Sequence, residues 1–208
     1  MSSAARLPDR QIDAIVLGAS AGGVEALTVL LPCLPAGLRA SVFIVVHLPR
    51  ERPSLLTELF IPKCALPIRE AEDKMPVEPG TVYFAPPNYH LLLDKGPQLA
   101  LSVDDLVHFS RPSIDVLFQS ATDIYGQRLM GIILSGANAD GTAGLASVHQ
   151  AGGLTIVQEP DTAQVPHMAA SALKQTQPDY VLPLNEIGTL LKTLPTGGPQ
   201  PQPIRAAG

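Results

Sequence analysis

The chain has 208 residues, of which 46% are hydrophobic and only 16% are charged, with a formal net charge of −5 at pH 7. This length fits one ordinary domain with a sizeable core and excludes a full regulatory domain beside a full catalytic one. The acidic balance argues against nucleic acid as a main partner, and no apolar run reaches the length of about 18 residues that spans a bilayer.

The ends of the chain and its two cysteines set the expected organisation. Residues 1–11 form a polar leader without the apolar segment of a secretory signal, and residues 195–208 form a Gly/Pro-rich tail that we expect to be flexible. The folded domain is then 12–194. Cys33 and Cys64 have neither metal-ligand spacing nor a disulfide pattern, which favours a reducing, cytoplasmic compartment.

The first sixty residues predict alternating strands and helices. The β-branched run over 12–17 is typical of a buried parallel strand, and the apolar spacing over 24–31 predicts a helix. A second strand is predicted over 41–46 and a short helix over 55–60. This order indicates the start of an open parallel sheet.

The middle of the chain has a different texture. Four short apolar runs between about residues 66 and 104 are separated by turn dipeptides such as Pro79-Gly80 and Gly96-Pro97. These turn residues favour hairpins, so we expect an antiparallel insertion over this segment.

The remaining elements return to the α/β pattern. Pro112 opens a predicted helix that continues to Tyr125. Later strands are predicted over 131–134, 154–158 and 180–182, and later helices over 145–150, 168–174 and 185–194. The fold class is therefore a doubly wound, mostly parallel, Rossmann-like α/β sheet flanked by helices, with an antiparallel β-hairpin insertion.

The first predicted strand ends in Gly18-Ala19-Ser20-Ala21-Gly22, a G-x-S-x-G motif that leads into a helix. Small flanking residues allow a sharp turn that exposes the hydroxyl of Ser20 beside the positive end of the helix, as in serine hydrolases. The same letters fit a degraded nucleotide-binding loop or an ordinary tight turn, because short glycine motifs are weak evidence.

Two further positions bear on this choice. A dinucleotide site needs Asp or Glu at the end of the second strand, and His47 occupies that place. An imidazole suits the role of general base for a serine. Asp140 follows another buried strand, so Ser20, His47 and Asp140 are all expected at the carboxyl edge of the sheet. Their order differs from that of α/β-hydrolases.

Collinear motifs over about residues 12–194 make the chain resemble the chemotaxis protein-glutamate methylesterases of the CheB type. The motifs are Ile15–Gly23, Val46–Pro49, Arg69–Asp73, Tyr83–Pro87, Arg111–Phe118, Leu134–Gly136, Asp140–Gly144 and Gln150–Gly153. The resemblance implies a parallel sheet flanked by helices. It also implies Ser20 as nucleophile, His47 as base and Asp140 as the residue that orients His47.

The chain departs from the family pattern near these residues. Ala21 replaces a usual threonine after the nucleophile, Ala137 replaces a typical methionine, and the Pro-Arg common in the family is missing beside Met168. An oxyanion hole needs a backbone N–H, which alanine provides. Ala21, Ala137 and Met168 are thus expected oxyanion or pocket residues, and Arg111 is a candidate for binding a substrate carboxylate or a surface residue at a helix start.

The resemblance implies an enzyme that hydrolyses glutamate methyl esters of methylated chemoreceptors, and by similar chemistry a glutamine deamidase, with no cofactor and no metal. Three alternatives remain open from the residues: a degenerate binding or regulatory module of the same fold, an esterase or amidase with another substrate, and a nucleotide-binding protein. In the family that the chain resembles, a phospho-accepting receiver domain usually precedes the catalytic domain and covers its active site. Because few residues precede the first strand here, we expect no receiver domain. Activity is then constitutive or controlled by a separate regulatory protein.

Overall fold

The computed structural model describes residues 7–48 and 53–197. Nine strands are present in this part of the chain: β1 Ala14–Ala19, β2 Ser41–Val46, β3 Ile68–Glu70, β4 Val82–Phe84, β5 His90–Asp94, β6 Gln98–Ser102, β7 Leu129–Ile133, β8 Leu154–Gln158 and β9 Tyr180–Leu182. The same part contains six α-helices: α1 Gly23–Leu30, α2 Leu56–Phe60, α3 Ile114–Tyr125, α4 Thr142–Gln150, α5 His167–Gln175 and α6 Leu184–Leu191. No helix of this region is long and apolar enough to cross a membrane.

Seven strands form one parallel sheet in the order β3-β4-β2-β1-β7-β8-β9. The chain builds outward from β1 on one side, through β2, and later returns to the other side of β1 with β7. The strand order therefore reverses between β1 and β7. Ligands of open α/β sheets bind beside such a reversal, outside the carboxyl ends of the strands.

Helices cover both faces of this sheet, which confirms the doubly wound class. Side chains alternate along β1, so Ile15 and Leu17 pack on one face with α1, α2 and α6. Ala14 and Val16 face the other layer, which contains α3, α4, α5 and the β5–β6 hairpin. Burial on both faces explains why the predicted strands appear as continuous apolar runs rather than as alternating ones.

The antiparallel hairpin is present but smaller than the predicted segment of 66–104. It consists of β5 and β6, paired from His90↔Ser102 to Asp94↔Gln98. By contrast, β3 and β4 join the main sheet in parallel. Short runs between turn residues have the same pattern in hairpins and in crossovers, so the turn residues alone did not distinguish them.

Other boundaries shift by a few residues. The strands predicted over 41–46, 154–158 and 180–182 coincide with β2, β8 and β9. The predicted leader and tail lie only partly within the described residues, and Pro49 of the Val46–Pro49 motif lies outside them.

Candidate active site

The two glycines of the G-x-S-x-G motif have different structural roles. At Gly18 an added Cβ would collide with Ile114, so this glycine lets the N-terminus of α3 approach β1 directly. Gly22 has a φ of 79°, the left-handed conformation that favours glycine, and a Cβ there would lie 2.7 Å from Ser135 Oγ. Ser20 thus stands on a tight turn between β1 and α1.

Backbone hydrogen bonds fix Ser20 at the reversal of strand order. Its N–H donates to the carbonyl of Ser135 at 2.9 Å, which extends the β1–β7 ladder past the end of both strands. Its carbonyl accepts the N–H of Gly23 at 2.8 Å. The nucleophile candidate is therefore held between the turn and the loop that follows β7.

His47 follows β2 directly and lies beside this turn. The last registered pair of the two strands is Ala19↔Val46, and the N–H of His47 donates to the carbonyl of Ala19 at 3.1 Å. Because neighbouring strands are about 4.8 Å apart, Ser20 and His47 are cross-strand neighbours at the carboxyl edge.

Asp140 reaches His47 from the loop before α4. Its Oδ2 lies 2.9 Å from Nε2 of His47, and the aspartate is fully buried. The same carboxylate accepts the N–H of Ile114 at 2.7 Å, the N–H of Asp115 at 3.0 Å and the hydroxyl of Ser113 at 2.8 Å. The positive end of α3 therefore surrounds the negative charge.

The balance of these contacts keeps Asp140 ionised. Burial by itself raises the pKa of a carboxyl group, but the hydrogen bonds from His47 and from the N–H groups of Asp115 and Ile114 outweigh it, and the pKa of Asp140 lies below its ordinary value. An ionised carboxylate can only accept hydrogen bonds. The Nε2 atom of His47 is therefore the protonated one in the neutral ring.

The other ring nitrogen of His47 is then the available base. Nδ1 is buried and has no hydrogen-bond partner within residues 7–48 and 53–197. The hydrogen bonds in this part of the chain include none between Ser20 Oγ and this nitrogen. Catalytic hydrogen bonds of this kind often close only when substrate binds.

Two backbone N–H groups in the segments that meet at the turn of Ser20 are candidate oxyanion donors. Those of Ala21 and Ala137 donate no hydrogen bond to any described residue, and both alanines are exposed. Ala21 directly follows Ser20, and Ala137 lies in the loop after β7. Free N–H groups beside a nucleophile are the donors that an oxyanion hole requires.

The two other predicted pocket residues make contacts inside the protein. Met168 is fully buried, and it packs so closely on Gly136 that a Cβ there would lie 2.5 Å from its Cε. The guanidinium of Arg111 donates to Oδ1 of Asn88 from Nε and Nη2, and to the carbonyls of Val103 and Asp104 from Nη1. One N–H of Nη2 is left for another acceptor.

Sequence reasoning missed three residues around Asp140. Ser113 caps α3 and also donates to Asp140. His90 is buried, accepts the N–H of Ser113 at Nδ1 and contacts the carbonyl of Asp105 through Nε2. Asp115 lies in the first turn of α3 and accepts the N–H of Gly144 in α4. The capping pattern of Ser113 was visible in the sequence, but its contact 27 residues away was not.

Among the residues that the structure describes, no group of three His, Cys, Asp or Glu side chains is placed to hold a metal ion. The site consists instead of a serine, an imidazole and a buried carboxylate at one sheet edge. This arrangement suits proton transfer from a serine hydroxyl during acyl transfer.

Comparisons with known proteins agree with this chemistry. A family model described as CheB methylesterase matches residues 15–191. A Leptospira interrogans protein with the provisional name protein-glutamate methylesterase/protein-glutamine glutaminase is 44% identical over 178 residues, which cover 86% of this chain and 92% of that protein.

More distant relatives are longer. A Symbiobacterium thermophilum protein-glutamate methylesterase/protein-glutamine glutaminase is 37% identical over 88% of this chain, but the match covers only 49% of that protein. The chain thus spans about half the length of this relative. The crystal structure of the Thermotoga maritima CheB methylesterase catalytic domain superposes with a TM-score of 0.83 at 32% identity, covering 89% of this chain and 100% of that domain.

Proposed function

The chain belongs to the CheB methylesterase family, and from this premise we propose that it is a serine hydrolase that removes methyl esters from glutamate side chains of methyl-accepting chemotaxis receptors. The observation that carries the proposal is the 2.9 Å contact between Nε2 of His47 and the buried carboxylate of Asp140, directly beside the turn of Ser20. This contact occupies Nε2 of His47 and supports a role for the other ring nitrogen, Nδ1, as the base.

In the proposed reaction, Nδ1 of His47 takes the hydroxyl proton while Oγ of Ser20 attacks the ester carbonyl. The charge that develops on the carbonyl oxygen is stabilised by the N–H groups of Ala21 and Ala137. Asp140 stabilises the imidazolium that forms. The proton then passes from Nδ1 to the leaving methoxide, and methanol departs.

The second half of the reaction regenerates the enzyme. Water attacks the glutamyl ester on Ser20 and gives its proton to Nδ1 of His47, which returns it to Oγ as the acyl bond breaks. The products are a glutamate side chain and free Ser20. The names of the relatives also include glutamine glutaminase activity. The same steps would release ammonia from glutamine, so deamidation is proposed as a slower second activity because an amide is a poorer acylating group.

The direct test is methanol release from membranes that carry methylated chemoreceptors. Ser20→Ala should lose activity by several orders of magnitude, since removal of a triad nucleophile in other enzymes costs about 10⁶-fold. Ser147→Ala is a matched control, because Ser147 only donates to a carbonyl within α4. Methanol release by folded Ser20→Ala at the wild-type rate would contradict the proposal.

Three points stay predictions: which receptor is acted on, whether a separate regulatory protein controls the activity, and whether the protein is cytoplasmic. A receptor preparation treated with and without a phosphorylated receiver protein would measure whether control in trans exists.

A further inference from the structure

Ser135 is a buried hydroxyl residue at the site that the proposed reaction does not use. It follows β7 after Leu134 and is only 1% exposed. Its backbone carbonyl accepts the N–H of Ser20, so it lies directly beside the nucleophile.

The hydroxyl of Ser135 holds the turn just beyond Ser20. Its Oγ lies 2.7 Å from the carbonyl oxygen of Ala21 and 3.3 Å from that of Val165. A hydroxyl has a single proton, so the shorter contact marks Ala21 as the acceptor. The N–H of Ser20 and the carbonyl of Ala21 are thus both bonded to one residue.

The same oxygen also anchors the turn to the segment before α5. Oγ accepts the N–H of Val165 at 2.9 Å, and the N–H of Gly136 donates to the carbonyl of Val165 at 3.0 Å. The turn of Ser20, the loop after β7 and the segment at Val165 therefore meet at this hydroxyl. Gly22 leaves the space for it, since a Cβ at Gly22 would lie 2.7 Å from Oγ.

We propose that Ser135 is a positioning residue that fixes the peptide groups after Ser20, so that the N–H of Ala21 points at the oxygen that becomes negative in the reaction. This inference rests on the proposed function. An N–H aimed in advance stabilises developing charge without reorganisation, whereas a turn that rotates freely does not. The contribution therefore belongs to the transition state and not to substrate binding.

Kinetic measurements separate this role from simple stabilisation of the fold. Ala21 is exposed, so its carbonyl can bond to water when the hydroxyl is removed. The N–H of half-buried Val165 also loses its acceptor in such a variant, so some folding free energy is lost while the turn is freed, and only a fall in the labelling rate and kcat of folded protein supports the positioning role. Ser41 offers a matched control because it is also a buried serine, and its hydroxyl donates to the carbonyl of Glu78 at 3.2 Å. It is the first residue of β2, whereas His47 follows the last residue of that strand.

The test uses a fluorophosphonate, which reports on Ser20 without a receptor. Oγ of Ser20 forms a bond to phosphorus, fluoride leaves, and His47 takes the proton. Ser135→Ala should lower the labelling rate and kcat for ester hydrolysis about 10- to 100-fold, because complete loss of one oxyanion donor costs about 10²- to 10³-fold. KM should change by less than about threefold. Ser41→Ala should label at the wild-type rate with a similar Tm.

The other outcomes are distinct. Equal labelling rates for wild type and Ser135→Ala overturn the role of Ser135 alone, as does a raised KM with unchanged kcat. An unlabelled wild-type protein overturns the serine hydrolase and this inference together. If Ser135→Ala fails to fold, Ser135→Cys keeps the size with a weaker donor, and a wild-type labelling rate for that variant contradicts the proposal.

Discussion

The N-termini of α3 and α4 lie side by side, and each holds a carboxylate that belongs to the other helix. Asp140, just before α4, accepts the N–H groups of Ile114 and Asp115 in α3. Asp115, in the first turn of α3, accepts the N–H of Gly144 in α4 at 2.7 Å. Both aspartates are buried, and the two regions differ in the donors and charges that surround each carboxylate.

Because of this difference, the pKa of Asp115 lies above its ordinary value and the pKa of Asp140 lies below it. Burial raises the pKa of Asp115 above its ordinary value, and the nearby charge of Asp140 raises it further. The hydrogen bonds from Gly144 and Gly141 and the charge of His108 lower it, but they do not compensate. At Asp140 burial acts in the same direction, but the bonds from His47, Asp115 and Ile114 overcome it, and the pKa is lowered.

The opposed pKa shifts distinguish the carboxylate that contacts His47 from its neighbour. Paired titratable groups with opposed environments commonly divide the roles of a site between them. Here the carboxylate that contacts His47 receives four donors, whereas Asp115 has the N–H of Gly144 and a 3.4 Å contact with His108. His47, the proposed base, therefore contacts the carboxylate whose ionised form the protein favours, and not the one whose ionised form it disfavours.

The largest expected effect comes from removing the favoured charge. Asp140→Asn should lower kcat/KM for ester hydrolysis by about 10⁴-fold, as the same change does in another serine triad, because an amide neither fixes the tautomer of His47 nor stabilises its imidazolium. Asp115→Asn is the matched control. Equal losses in the two variants, measured as methanol release, would show that the two carboxylates are not distinguished.

The sequence allowed the residues at the carboxyl edge of the sheet to be predicted, but not the difference between Asp140 and Asp115. Ser20, His47 and Asp140 each follow an apolar strand, and the carboxyl ends of parallel strands share one edge, so their approach followed from pattern alone. The direction in which Asp115 points did not, because its acceptor bond joins residues 29 apart. In the same way, β4 lies between turn residues like a strand of a hairpin, but it pairs in parallel with β2. That pairing could not be read from the sequence of β4 itself.

A smaller effect is expected at Ser113, which caps α3 and donates to Asp140. Ser113→Ala should lower the free energy of unfolding by about 2 kcal/mol, since a hydrogen bond to a charged group contributes about 1.5–3 kcal/mol. It should also bring the pKa of Asp140 up towards its ordinary value. Urea denaturation at neutral pH measures the first effect.

The pH dependence of the same variant measures the second. A lowered pKa gives stability that is present above the unfolded value of about 3.9 and is lost as the pH falls through the folded value. In both proteins this loss begins near the unfolded value, but in Ser113→Ala it should be smaller and should be complete at a higher pH than in the wild type. Ser120→Ala, which removes another hydroxyl from α3, should leave the acid limb in place. An acid limb that moves equally in both variants would contradict the assignment.

A still smaller effect of opposite sign is expected at Asp115. A raised pKa gives stability that is fully present below about pH 3.9 and is lost as the pH rises through the folded value. Asp115→Asn keeps an oxygen for the N–H of Gly144 and removes the repulsion from Asp140. At neutral pH it should be as stable as the wild type or more stable, with an advantage that disappears towards about pH 4. A variant that is less stable at neutral pH would contradict this.

The smallest effect is expected at His108, whose side chain is 49% exposed and lies 3.4 Å from Asp115. Exposed pairs contribute at most about 1 kcal/mol, so His108→Gln should leave the free energy of unfolding nearly unchanged. It removes a charge that lowers the pKa of Asp115, so that pKa should rise further while that of Asp140, for which His47 provides the nearby positive charge, stays where it is. Carbon-13 NMR titration of the two carboxyl groups measures both. If the titration of Asp140 moved together with that of Asp115, the two helix N-termini would act as one electrostatic unit, and the separation of favoured from disfavoured charge would be lost.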